Sequence, residues 1–172
     1  MSEFEDFVAS HTDNYFKRTR AIVAHNGARI VTYALFMRRP VVFCPALSVA
    51  WLKQAARERN TRFEIAPCFE EGARVGAGEP LMYITGPMVD LVDLETIYLQ
   101  RLGAPCVAAY NAYHMCADLP HVGFLAMDAR HCAGSEMADM MAYAASVGSA
   151  KAKREHDAVG FIGSANDATA HY

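Results

Sequence analysis

Charged side chains are scarce in this sequence. Only 20 % of its 172 residues are Asp, Glu, Lys or Arg, and together they leave a formal net charge of −3. That balance lacks the basic face that nucleic-acid binding requires. Long apolar runs are missing too, none approaching the roughly 20 residues that cross a bilayer. The opening MSEFEDFVAS is acidic and has no charged-then-apolar leader pattern. No nucleic-acid partner and no membrane are expected, and the cytoplasm is the expected location. Cysteine is present without a pattern. Cys44, Cys68, Cys106, Cys116 and Cys132 are odd in number and form no C-x-x-C pair, so neither a disulfide framework nor a structural zinc site is expected. They read as small buried hydrophobes. Internal repeats, low-complexity tracts and obvious linkers are likewise absent.

The 53 % hydrophobic content predicts a packed core, enough for one domain or a small domain with part of a second. An extended entry leads into a helix that Thr12 or Asp13 could cap and that stops at Asn26-Gly27. ARIVTYALFMRRPVVFCP holds two strand-like runs with a hairpin-like break at Arg38-Arg39-Pro40. ALSVAWLKQAARERN is an amphipathic helix, with Val49, Leu52 and Ala56 inward and Lys53, Arg57 and Arg59 wet. Short strands and glycine turns follow to Pro87. Gly76 and Gly78 do not make a phosphate loop, because the third glycine, the lysine and the following helix are all absent. VDLVDLETIYLQRLGAPCVAAYNAYHMCADLP reads as two helices split at Gly103 and Pro105. Asp90, Asp93 and Glu95 suit a solvated first turn at the positive helix end better than a metal site.

The remainder alternates strand, helix and strand: VGFLAMD as a buried strand, GSEMADMMAYAASVGSAKAKREHD as a helix with a solvated basic tail, and AVGFIGSAND as a second strand. Such a unit after a mixed first half suggests a parallel α/β sheet or barrel. Ligands in such folds gather at the carboxyl ends of strands. Arg130-His131 and Ser164 to Asn166 sit at those ends. Arg130 has a planar fork that grips a carboxylate or phosphate through two hydrogen bonds; the alternative is a turn carrying solvated charges. For Ser164 and Asn166 the alternative is a plain Asx-type turn. His114, His121 and His156 have no acidic or Cys partners at ligand spacing and read as structural.

Three stretches together resemble the pyridine-base phosphoribosyltransferases, most closely the nicotinate phosphoribosyltransferase family. TDNYF, residues 12–16, is similar to that family's T-D-x-Y signature. EEGARVGAGEPLMYITGPMVDLVDLETIYLQRLGAP resembles its N-terminal strands and its E-T-x-x-L-x-x-L helix. FLAMDARHCAG and GFIGSAND resemble its F-G-x-R-R-x-H strand end and G-F-x-G-T-S-N turn. Met127 stands where the family has an aromatic residue, Asp128 where it has a glycine, and Arg130-His131 where a doubled arginine is commoner. The resemblance spans about Thr12 to Ala170. It implies an α/β protein: an N-terminal α+β sandwich-like domain with connecting helices over 1–118, then the first strands and helices of an incomplete α/β barrel over 119–172. Family chains continue well past this span, so the chain is expected to be the front portion of such an enzyme, a split subunit or a degenerate copy.

The activity so implied joins nicotinate to 5-phosphoribosyl diphosphate to give nicotinate mononucleotide in NAD biosynthesis, with Mg²⁺ on the diphosphate and an ATP-coupled variant in some members. The transition state is oxocarbenium-like, so positioning and electrostatics do most of the work. Arg130 and His131 are the expected catalytic pair. Asp13, Tyr15, Met127, Ser164 and Asn166 are the expected substrate contacts, with Tyr15 stacking on the pyridine ring from a partner subunit. No protein-held metal ligand is assigned. The expected partner is a second copy in a homodimer or a complementing C-terminal polypeptide. Transfer to nicotinamide or quinolinate, and a non-catalytic assembly module of the same fold, stay open as alternatives.

Overall fold

The computed structural model describes residues 2–27, 29–127 and 130–172. It is mixed α/β with an N-terminal α+β portion, as expected, and the described residues include no closed barrel. The chain divides into two compact units. The first comprises Met1–Phe36, Ala46–Cys68 and Pro80–Arg101; the second comprises Met37–Pro45, Phe69–Glu79 and Leu102–Tyr172. The whole span after residue 118 lies within the second.

The first unit holds the antiparallel sheet β1 (Ile30–Phe36), β5 (Pro80–Pro87) and β3 (Glu64–Pro67), in the order β1-β5-β3. Tyr33, Ile84 and Ile65 form one cross-strand row and Leu35, Met82 and Pro67 the next. Side chains alternate across a pleated strand, so these rows share a face, on which Leu35, Met82 and Ile84 are buried. Helices α1 (Glu3–His11), α2 (Asn14–Asn26), α3 (Ala46–Glu58) and α4 (Met88–Leu91) belong to this unit, with a 3₁₀ turn over Val92–Leu94. Ser2 caps α1 by accepting from the Glu5 amide, so the expected extended entry is instead a helix.

A four-charge network lies within this unit. Arg59 Nη1 donates to Asp93 Oδ1 at 2.6 Å and Arg59 Nε to Glu5 Oε1 at 2.9 Å; Arg20 Nη1 meets Glu5 Oε2 at 3.0 Å and Asp93 Oδ2 at 3.1 Å. Two expectations fail here. Arg59 was to be wet and Asp93 part of a solvated turn, yet their side chains are 3 % and 5 % exposed. Burying an ion is tolerable only when its partners satisfy it, and those partners come from helices distant in sequence.

In the second unit, β2 (Val41–Val42) pairs antiparallel with β4 (Arg74–Val75). The runs on either side of Arg38-Arg39-Pro40 therefore do not form a hairpin, since β1 pairs with β5. Helix α5 runs unbroken from Glu95 to Asp118 through Gly103 and Pro105, where two helices were expected. Proline costs a helix interior roughly 3 kcal/mol. Against that, Ile97, Tyr98, Leu102, Cys106, Ala109, Tyr113 and Cys116 are all buried along α5, and burial of a large apolar side chain is worth about 1.5–3 kcal/mol. Burial of the stripe outweighs the proline.

Helix α6 (Ser135–His156) joins β6 (Gly123–Ala126) to β7 (Gly160–Ser164), and the two strands are parallel. This is the expected strand–helix–strand unit. A Cβ on Gly148 of α6 would collide with the Ala109 carbonyl oxygen of α5, so the helices approach there at backbone distance. Tyr113 Oη donates to Glu155 Oε2 at 2.8 Å and Lys151 Nζ to Glu155 Oε1 at 2.7 Å; Lys151 is buried rather than solvated. β6 was expected to be buried throughout, but Leu125 is 56 % exposed. All five cysteines are free. Burial pushes the Cys106 thiol up to about 12 and raises Cys44 too, which leaves both unreactive, as hydrophobes should be.

Candidate active site

The carboxyl ends of β6 and β7 are tied together, because the Ala165 amide donates to the Ala126 carbonyl at 2.9 Å. Ser164 therefore ends β7 beside the last residue of β6, and Met127 follows at once. Ser164 Oγ lies 2.5 Å from Thr169 Oγ1, and Asn166 Oδ1 accepts from the Thr169 amide at 3.2 Å. Asn166 thus closes a turn through a side-chain bond to the amide three residues on, a local pattern that Asn favours. A cavity of about 360 Å³ runs along β7, lined by Ser164, Thr169, Lys153 and Tyr172 among others. Lys153 Nζ donates to the Phe161 carbonyl at 3.2 Å, and Ser149 Oγ accepts from the Phe161 amide at 2.9 Å.

A second hollow of about 610 Å³ lies at the start of α6, lined by Gly134, Ser135, Glu136, Asp139, Asn166 and Thr169. Gly134 occupies the N-cap position with φ 95° and, as a glycine, supplies no side-chain cap. An α-helix leaves its first amides unpaired and carries partial positive charge there. Arg130 and His131 precede this end; both are exposed and line none of the described cavities. Met127, 42 % exposed, lines a separate apolar hollow of about 380 Å³ with Met115, Leu125, Met141 and Phe161. Asp128, placed by the resemblance at the family's glycine, lies outside the described residues. Among the described residues no group of three or more His, Cys, Asp and Glu could hold a metal ion.

The other expected contacts are in the first unit. Asp13 sits at the N-cap of α2 without capping it, and its Oδ2 accepts from Thr96 Oγ1 at 2.9 Å. Tyr15 is 60 % exposed, its ring 4.1 Å from that of the buried Phe16. Burial first, and the Asp13 charge second, push the Glu95 carboxyl above its ordinary value. The T-D-x-Y and E-T stretches, 83 residues apart, are thus one local structure. Thr96 was missed from the sequence although it lies inside a motif already noted for Glu95. Lys153 and Thr169 carried no signal at all.

The fold is shared with solved structures of pyridine phosphoribosyltransferases. The nicotinate-nucleotide pyrophosphorylase of Pyrococcus furiosus superposes with a TM-score of 0.71 at 22 % identity, over 98 % of this chain and 41 % of that one. Human nicotinic acid phosphoribosyltransferase gives 0.66 at 19 %, over 90 % and 36 %. NadC from Streptococcus pyogenes gives 0.57 at 20 %, over 86 % and 54 %. At these identities the likeness is one of fold, and the chain spans about two fifths of the first structure's length. No curated protein matches the sequence. Residues 13–106, more than half of the chain, match the family described as quinolinate phosphoribosyl transferase, N-terminal domain. The chain belongs to that family.

Proposed function

We propose that this protein transfers a phosphoribosyl group to nicotinate for NAD biosynthesis. The pyridine nitrogen attacks C1 of the ribose, the bond from C1 to the diphosphate oxygen breaks, and diphosphate leaves with the electron pair. The observation that carries the reading is the tied pair of strand ends. It sets Ser164 beside Ala126, the last residue of β6, while Asn166 lines the hollow at the start of α6. Anions are favoured at such an end. Arg130 is assigned the grip on the carboxylate and His131 a hydrogen bond to phosphate, while Met127 offers a polarisable contact to the ring. Asp13 and Tyr15 are assigned to the ring from a second copy of the chain, in a homodimer. Mg²⁺ in this reading arrives on the diphosphate oxygens, as the resemblance implies. ATP coupling is carried by the resemblance alone.

Nicotinate is favoured over quinolinate because the strand end offers one arginine, and a second carboxylate asks for more cations. The family match favours quinolinate, which would yield the same mononucleotide with loss of carbon dioxide. One experiment separates them: the protein with 5-phosphoribosyl diphosphate, Mg²⁺ and either base, with and without ATP. Mononucleotide from nicotinate alone supports the proposal, and consumption of quinolinate replaces it. Saturable binding of base and donor without product marks a chain that needs a complementing polypeptide. Absence of any saturable binding leaves a non-catalytic assembly module.

A further inference from the structure

We propose that Thr96 is a positioning residue that sets where Asp13 and Tyr15 stand, and thereby how firmly a flat pyridine carboxylate is held. The inference rests on the proposed function and adds a residue that does not itself touch the substrate. Aspartate at an N-cap ordinarily accepts from an amide in the first turn of its own helix, and losing that bond costs about 1 kcal/mol. Asp13 has cap geometry, with φ −62° and ψ 139°, yet makes no such bond. Its carboxylate is turned to Thr96 Oγ1 at 2.9 Å instead, and its amide donates to the same oxygen at 3.2 Å. Thr12 Oγ1, on a buried residue, lies 3.5 Å from it.

A threonine hydroxyl has one proton to give and two lone pairs to receive. The proton goes to the Asp13 carboxylate, so the Asp13 amide and the Thr12 hydroxyl must be the donors in return. The full capacity of one side chain at the start of α5 is spent on two residues at the start of α2. An intrahelical cap has been given up for a contact 83 residues away, which fixes the place of α2 rather than its helicity. Tyr15 lies in the first turn beyond this lock. Phe16, buried, anchors one side of it, and the Tyr15 ring projects into solvent, so its aim is inherited from Asp13.

Thr96→Val preserves the shape and removes the hydroxyl; Thr96→Ser restores it. The probes are nicotinate and quinolinate, titrated calorimetrically into the full chain with phosphoribosyl diphosphate and Mg²⁺ present. Thr96→Val should weaken binding about tenfold, one lost polar contact's worth, and Thr96→Ser should return it to within about twofold. In a Tyr15→Ala background the cost of Thr96→Val should shrink to the part carried by Asp13, because Thr96 and Tyr15 are coupled. Equal losses with and without Tyr15 would overturn the inference, as would a lowered melting temperature with unchanged affinity. If wild type binds neither base, the proposed function fails and the positioning role goes with it. If wild type binds and Thr96→Val binds as well, the positioning role alone is lost.

Discussion

The two units use their charged side chains in opposite ways. In the first, Glu5, Arg20, Arg59 and Asp93 satisfy one another, and the guanidinium of Arg59 also reaches the Asp90 carbonyl at 2.6 Å. At its centre the Arg59 and Asp93 side chains are almost wholly buried. In the second, Arg130 and His131 are exposed ahead of α6, and Leu125 and Ile162 of the parallel pair are more than half exposed. Parallel strands are ordinarily covered on both faces. A closed network contributes to the specificity of a fold, whereas an exposed cation is open to solvent.

Substitutions can break that contrast at either end. Arg59→Met strips a buried network of its centre, and removing one partner of a buried ion pair costs about 3–5 kcal/mol; the urea midpoint should fall accordingly. Arg130→Ala, by contrast, should leave stability within about 0.5 kcal/mol while weakening nicotinate binding by roughly tenfold or more, the size expected for a hydrogen bond to a charged group. Should Arg130→Ala destabilise the fold and spare binding, scaffold and site have been assigned the wrong way round.

Gly148→Ala sharpens the same comparison inside the second unit, where α5 and α6 meet at backbone distance. Overpacking of that kind costs about 1–3 kcal/mol, so its melting temperature should drop although no polar contact is touched. A wild-type melting temperature would mean the helices separate freely.

The smallest expected effect is a pH dependence. Burial alone would raise the Glu5 carboxyl, but hydrogen bonds and charge from Arg59 and then Arg20 hold it below its ordinary 4.5. A carboxyl depressed by folding contributes stability above its unfolded value, and that contribution is lost as pH falls through the folded one. Glu5→Gln should therefore melt below wild type at pH 7, with the gap closing as pH drops below about 4. A gap that persists in acid would show that shape, not ionisation, matters at that position.

Much of the fold was legible because periodicity reports local structure. α3, α6, the glycine-turned strands and the parallel β6–α6–β7 unit all follow from spacing, as does the rejection of Gly76 and Gly78 as a phosphate loop. The failures share a cause. Pro105 looks like a break until the buried stripe on both sides of it is seen. Arg59 and Asp93 look wet because each is polar, and only their meeting makes burial affordable. The pairing of β1 with β5 rather than with its neighbour β2 is a choice between long-range partners that the strand residues do not encode alone. Ser164 was legible as the end of β7, whereas β6 ends at Ala126, four residues short of Arg130. Thr96, Lys153 and Thr169 were not legible, since each gains a role only from a residue far away or from a turn.

By itself, the order of residues determined most of the segments that become helix or strand and placed Ser164 where β7 finishes. Those properties depend on neighbours within a turn or two, and the chain carries them openly. Only the tertiary structure decided which charges would be consumed in a closed network and which left facing water. It also decided that one hydroxyl on α5 would hold the start of α2. Burial and partnership are properties of pairs brought together by folding, and a linear pattern of side chains does not contain them.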